Sequence, residues 1–242
     1  MPVVAVLTPL SKAVVAGSSP AGRNSFFCKK TIKTMSENKK TARMRALADE
    51  LPDMRKRARR LMRAGEPGAK QLGAAFGLVD QCHFRPGSTR ALSRNGTYGA
   101  TTLQSQHVRR RGSSTEITFT GKAGVQNQCS LPPGPVSRAL LTGGGRLTAP
   151  AARLNTFMHP FTAKDLRTWG ANVQFLRSRR SGMTPREAIH AAAVHLSHKP
   201  SVCKKYYVLP RIQKADDRSV HKQVRKTRGL STTESLLKKL LS

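Results

Sequence analysis

Apolar residues recur at helical spacing from Asn38 onward. Met44, Leu47, Ala48 and Leu51 share one helical face. Pro52 suits the first turn of a second helix, with Met54, Ala58, Leu61 and Met62 as its stripe. The stretch RAGEPGAK (Arg63 to Lys70) reads as a turn. A third helix follows it, with Leu72, Ala75, Phe76, Val79 and Cys82 inward. The period then changes. YGATTL reads as a short strand. Ile117 and Phe119 alternate with polar residues, and so do Val125, Asn127, Cys129 and Leu131 beyond a Gly-Lys-Ala-Gly turn. That pattern predicts a β-hairpin with Lys122 at its tip.

The segment PPGPVSRALLTGGGRLTAPAAR is punctuated by Pro and Gly and reads as an irregular connection. Helical spacing returns after it. TAKD (Thr162 to Asp165) and TPRE (Thr184 to Glu187) have capping-box spacing, and PSVCKKYY starts a further helix at Pro200. STTESLLKKLL closes the chain with a capped amphipathic helix whose apolar side is Leu236, Leu237, Leu240 and Leu241. The expected class is α+β, predominantly helical, with a small β element. No internal repeat is visible.

Charge narrows the function. Lys and Arg total 44 against 12 Asp and Glu, a net charge of +32. Such an excess points to a polyanionic partner such as double-stranded DNA, although a ribosomal-type structural protein would be basic too and charge alone does not choose an enzyme. The acids are also unevenly placed: from Gln81 to Pro160 only Glu116 stands beside ten Lys and Arg. A basic stretch inside the folded part implies a binding surface rather than a tail. Arg109, Arg110 and Gln104 are expected at the sugar-phosphate backbone, where contacts position without specifying. Tyr98 is expected either to touch DNA or to pack.

Cys28, Cys82, Cys129 and Cys203 are far apart and form no CxxC. They suggest neither a zinc site nor a secreted disulfide framework, and a reducing, intracellular compartment fits them best. Cys203 is expected to pack. No apolar run is long enough to span a membrane. Residues 1–36 are basic and acid-free, like an organellar transit peptide in composition, but the preferred reading is a disordered basic extension, or upstream sequence before a start at Met35.

Five stretches could carry chemistry: CHFRPGS with Arg85, FTGKAG with Lys122, KDLRTWG with Arg167, HKPS with His198, and KKYY with Tyr206 and Tyr207. Two Arg, one Lys, one His and one Tyr form a set suited to one reaction. A tyrosine hydroxyl attacks a phosphodiester, and two guanidiniums clamp the non-bridging oxygens while the His donates another hydrogen bond. The Lys protonates the departing alkoxide. The phosphotyrosine keeps the energy of the broken bond, so resealing needs no ATP. The clustered carboxylates of metal-dependent nucleases are missing, and no Walker-type loop exists. His195 and His198 form an H-x-x-H pair without a further ligand at matching spacing, so metal binding is not expected there. No cofactor is expected.

The order and wording of these stretches resemble type IB DNA topoisomerases of the poxvirus and bacterial class. The similarity covers LVDQCHFRPGS, NGTYGATTLQSQHV, ITFTGKAG, FTAKDLRTWGANVQFL and HKPSVCKKYYVLP, from about Asn38 to Pro210. The resemblance implies a DNA breaking-rejoining catalytic domain of the tyrosine recombinase and topoisomerase IB kind. It implies Arg85, Arg167 and His198 at the phosphate, Lys122 as general acid and Tyr207 rather than Tyr206 as nucleophile. It implies relaxation of supercoils through a 3′-phosphotyrosine, without ATP or metal, by a DNA-associated intracellular monomer. Lys204 and Lys205, beside the nucleophile, are expected at the DNA.

The organisation expected is a basic, disordered extension over 1–37, a catalytic domain over 38–229 and a C-terminal amphipathic helix over 230–242. The family's N-terminal β-rich clamp domain has no counterpart in the first 37 residues, and the connection between Lys122 and Arg167 is short. These departures leave open a relative that binds DNA without cutting it. A tyrosine recombinase shares the chemistry, but usually carries His where this chain has Lys164, three before the second Arg.

Overall fold

The structure is a computed structural model that describes residues 23–143 and 147–242. The transit-peptide reading of the N-terminus falls largely outside them. The chain divides into two units, 1–36 and 37–242, and the second holds the core.

Helix α1 (Arg23–Arg63) is one helix where two were expected, with Pro52 inside it. Its start at Arg23 also makes residues 23–37 helical rather than disordered. Pro52 removes one helical hydrogen bond, at a cost of about 3 kcal/mol. The two predicted stripes merge into one: Met44, Leu47, Ala48, Leu51, Met54 and Ala58 are all buried in a common core. Continuous burial of six side chains outweighs that cost.

Helix α2 (Pro67–Gln81) buries Ala75, Phe76 and Val79. It leads through Cys82 into the Arg85 loop and a short exposed helix, α3 (Thr89–Asn95), capped by Ser88. YGATTL is not a strand. Its amides turn back onto that loop: Ala100 N–H donates to the Arg85 carbonyl at 2.8 Å and Thr101 N–H to Pro86. Gly99 sits so close that a Cβ there would lie 2.6 Å from the Arg85 carbonyl.

Strands β1 (Val108–Arg111), β2 (Ser114–Thr120) and β3 (Gln126–Leu131) form an antiparallel sheet in that order. The expected hairpin is β2–β3, with Thr120 opposite Gln126 and Ile117 opposite Cys129. Ile117, Phe119 and Leu131 bury one face. The Pro-Gly-rich segment is not wholly irregular: it contains α4 (Pro135–Leu141) and α5 (Ala151–Met158). Pro135 supplies the first turn of α4 and Pro150 caps α5, so these prolines start helices rather than exclude them.

Helices α6 (Ala163–Arg180) and α7 (Pro185–His195) begin at the two predicted capping boxes, both formed. They pack together and against α8 (Pro200–Tyr206), and α9 (Pro210–Gln213) and α10 (Asp217–His221) follow. Helix α11 (Thr232–Leu241), capped by Ser231 and Glu234, lies on α6. The result is a mostly helical α+β protein, and no described helix is long and apolar enough to cross a membrane.

One buried ionic node joins four of these helices. Arg55 of α1 bonds Asp80 of α2 at 2.8 Å and Glu234 of α11 at 2.7 Å, and Glu234 also accepts the Trp169 indole N–H of α6. Burial disfavours the Glu234 carboxylate, but Arg55, Ser231 and Trp169 outweigh it and hold its pKa at about 2. Removing one partner of such a node leaves a buried charge unmatched. Glu234→Gln is therefore expected to lower unfolding stability by about 3 kcal/mol in urea titrations at pH 7.

Candidate active site

Arg167 lies one and a half turns into α6 and is buried. Its guanidinium is held by main-chain carbonyls. Nη1 donates to the His83 carbonyl and Nη2 donates to the Leu196 carbonyl at 3.0 Å. Leu196 caps α7, so one anchor is the negative end of a helix. The other depends on an unusual backbone. His83 adopts a left-handed conformation (φ 53°) just past α2. Its Nδ1–H donates to the Val79 carbonyl at 3.1 Å, and its ring lies over Gly170, where a Cβ would come within 2.1 Å of Nε2. His195 closes this pocket edge-on, ring centres 4.9 Å apart. Burial first, then the neighbouring His195, depresses the His83 pKa to about 3.

Helix α7 ends in a Schellman arrangement. Ser197 takes the left-handed position (φ 54°), its N–H donating to Val194, and the His198 N–H reaches back to Ala193 at 2.9 Å. This turn presents His198 to both arginines. Arg167 Nη2 donates to His198 Nε2 at 2.9 Å, and Arg85 Nη2 lies 3.3 and 3.4 Å from the two ring nitrogens. Burial, then Arg167 and Arg85, push the His198 pKa down to about 4, so the ring is neutral at physiological pH.

Tyr207 caps α8 and stacks on His198, ring centres 4.6 Å apart. The Arg167 guanidinium lies 5.7 Å from the Tyr207 ring centre. Burial lowers the Arg167 pKa below its ordinary value, the Tyr207 oxygen opposes this, and Arg85 adds to it. Asn172, one turn beyond Arg167 and fully buried, ties the tyrosine's backbone to α6. It donates to the Tyr207 carbonyl and accepts from the Leu209 N–H, both at 2.9 Å. Tyr206 points elsewhere: it is 47% exposed and lies beneath the Lys205 ammonium.

Lys122 is exposed in the tight turn between β2 and β3, closed by Gly121 N–H to the Val125 carbonyl at 2.8 Å. It lines a small hollow together with Arg85, Tyr98, Asn127 and Ser197. Tyr98 is half-buried, its ring 4.2 Å from that of His107. Gln104, Arg109 and Arg110 are exposed on the sheet side, and Lys204 and Lys205 on α8 beside the tyrosines. Four of the five candidate side chains, Arg85, Arg167, His198 and Tyr207, thus come together from separate segments with no carboxylate among them, and Lys122 borders the group through the hollow it shares with Arg85. Among the described residues, no ion pair involves Arg85, Lys122 or Arg167.

His83, Gly170 and Asn172 have no counterpart in the sequence reading. Gly170 was the one available signal, a glycine in mid-helix that otherwise costs about 1 kcal/mol relative to alanine. One sequence-based expectation needs correction: Cys82 and Cys129 form a disulfide, Cα atoms 5.8 Å apart, across 47 residues. Nothing in that separation reveals the pair, because only the fold of the hairpin beside α2 brings them together. Cys203 is buried and unpaired, as expected. His195 stacks with His83, and among the described residues no group of three His, Cys, Asp or Glu could hold a metal ion.

Residues 29–135 match the family model described as eukaryotic DNA topoisomerase I, catalytic core. The match includes Arg85 and Lys122 and stops short of Arg167, His198 and Tyr207. No curated protein matches the chain.

The depressed histidine sets a pH dependence. A histidine charges near pH 6.5 in the unfolded chain, but His198 does so only near 4 in the fold. The unfolded state therefore binds more protons between those values, and stability falls as the pH drops from about 6.5 toward 4. His83, at about 3, steepens the same loss. In thermal melts at stepped pH, His198→Asn is expected to show a shallower decline across this window than wild type.

Proposed function

We propose that the chain is a type IB DNA topoisomerase of the class with a tyrosine nucleophile. The observation that carries this reading is the convergence of Arg85, Arg167, His198 and Tyr207 with no acid among them. The match to a topoisomerase I catalytic core supports it over the first part of the chain, and the sequence resemblance supports it through Pro210.

The chemistry follows from the arrangement. A phosphodiester entering between Arg85 and Arg167 supplies the negative charge that the two guanidiniums lack. Arg167 is already desolvated, so its attraction for a developing oxyanion is stronger than in water. Neutral His198 retains an N–H to give to a non-bridging oxygen without adding a third positive charge beside the arginines. Tyr207, stacked on His198 beside Arg167, gives its phenolic proton to water and attacks phosphorus. Lys122 approaches from the hairpin tip and protonates the 5′-oxygen as the P–O bond breaks. The products are a 3′-phosphotyrosine and a free 5′-hydroxyl, and the same steps in reverse reseal the strand. The exposed arginines of β1 and lysines of α8 hold the duplex by its backbone.

The reading is tested on supercoiled plasmid in EDTA without ATP. Wild type and Tyr206→Phe are expected to relax it, and Tyr207→Phe to form no covalent adduct and leave it supercoiled. Equal relaxation by wild type and Tyr207→Phe would overturn the assignment. A wild type that binds DNA with a steep salt slope but forms no adduct would identify a non-cutting relative instead.

A further inference from the structure

We infer that the Cys82–Cys129 disulfide is a positioning device for the reaction: it fixes the Arg85 loop to the Lys122 hairpin and makes strand cleavage sensitive to dithiol reductants. The inference rests on the transesterification reading above.

The bond sits between the two arms of the site. Cys82 caps α2 three residues before Arg85, and Cys129 lies in β3 seven residues after Lys122. Lys122 has no other firm hold. It is exposed, its turn includes two exposed residues in left-handed conformation, Ala123 (φ 63°) and Gly124 (φ 71°), and no described ion pair restrains it. The hairpin touches the Arg85 segment through the Phe84–Phe119 ring contact at 4.8 Å and the Tyr98 N–H to Thr120 carbonyl bond at 2.9 Å. Both lie on the β2 side. The disulfide is the link to this segment from β3, whose other anchor, buried Leu131, lies two residues further from the Lys122 turn, so the bridge is the β3 hold nearer that turn.

A general acid must stand within hydrogen-bond reach of the leaving oxygen, and a misplacement of about 1 Å can cost on the order of a hundredfold in rate. Arg167 stands on α6, His198 in the turn after α7 and Tyr207 at the end of α8; the bridge comes near them only at His83, whose carbonyl holds Arg167 and whose ring is anchored separately by the Val79 carbonyl and by packing on Gly170. Loosening it therefore affects proton delivery more than nucleophilic attack. Reduction is an ordinary exchange. A dithiol gives two electrons and two protons to the bridge, Cys82 and Cys129 become thiols, and the reductant closes to its own cyclic disulfide.

The test uses single-turnover cleavage of a duplex at a site first mapped with the oxidised protein. A second duplex carries sulfur in place of the bridging 5′-oxygen at that site. A thiolate departs without being protonated, so this substrate does not need Lys122. Treatment with dithiothreitol is expected to slow cleavage of the oxygen substrate at least tenfold and of the sulfur substrate less than twofold. The double variant Cys82→Ser, Cys129→Ser is expected to match the reduced protein with or without dithiothreitol, which separates the bridge from buried Cys203. Equal oxygen-substrate rates in the two redox states would overturn the inference. So would an equal loss on both substrates, which marks general loosening of the fold. If the oxidised protein forms no adduct on either substrate, the transesterification reading fails and takes this inference with it.

Discussion

Arg167 places a positive charge inside the protein with only neutral partners. Burying an ionised group is costly unless hydrogen bonds replace its water. Here the replacements are the carbonyls of His83 and Leu196 and the ring of His198, with the Tyr207 ring packed alongside. Each partner comes from a different segment, so meeting the needs of one guanidinium fixes the end of α2, the end of α7, the turn after it and the end of α8. The left-handed backbone at His83 and Ser197 is part of the same solution, because it turns these carbonyls and the His198 ring toward α6. A carboxylate would have satisfied Arg167 more simply. It would also have neutralised the charge that a phosphodiester must find.

That choice explains why the site is legible in sequence while its support is not. Arg85, Lys122, Arg167, His198 and Tyr207 are of residue types that few others could replace in the proposed chemistry, so their identities and order stand out. The capping boxes at Thr162 and Thr184 are local, span four residues each, and are found where their spacing predicts. The hairpin follows from alternation on both sides of a glycine turn. The support is of another kind. His83 acts through its main-chain carbonyl, Asn172 through an amide that clasps the backbone around Tyr207, and Gly170 through the absence of a side chain. None of these roles requires a distinctive residue at a recognisable spacing. The Cys82–Cys129 pair is hidden for the same reason, since contact across the fold leaves no local trace.

The errors of local reading share a cause. Pro52 was read as a helix start, and Pro135 and Pro150 as signs of irregular chain. Proline constrains only the turn it occupies. Whether a helix continues past it depends on what the flanking faces bury, and Leu51 and Met54 on either side of Pro52 enter the same core. YGATTL failed differently. Its composition favours a strand, but its amides go to scattered partners, Ala100 and Thr101 to the carbonyls of Arg85 and Pro86, Tyr98 to Thr120 and Thr102 to Gly99, so no continuous edge remains to pair. In that segment the hydrogen bonds that shape the active-site loop override propensity.

The twelve acids complete the electrostatic logic. Asp80 and Glu234 are held by Arg55, Asp165 by Arg43, Asp217 by Arg179, Asp49 by Lys238 and Glu116 by Arg111. Glu187 and Asp216 cap helices. Most of the scarce negative charge is therefore committed to holding elements together, at positions away from the candidate phosphate site. The cations around Arg85, Lys122 and Arg167 remain unopposed, and a positive field over a concave, partly desolvated surface attracts a polyanion most strongly there. The same distribution makes association with any polyanion depend on counterion release, hence steeply on salt. It leaves the candidate site less exposed to salt, because screening is weaker where Arg167 is buried than where Arg109 and Arg110 meet solvent. The positive charge thus falls into two populations, one exposed and screened, the other buried and held by carbonyls.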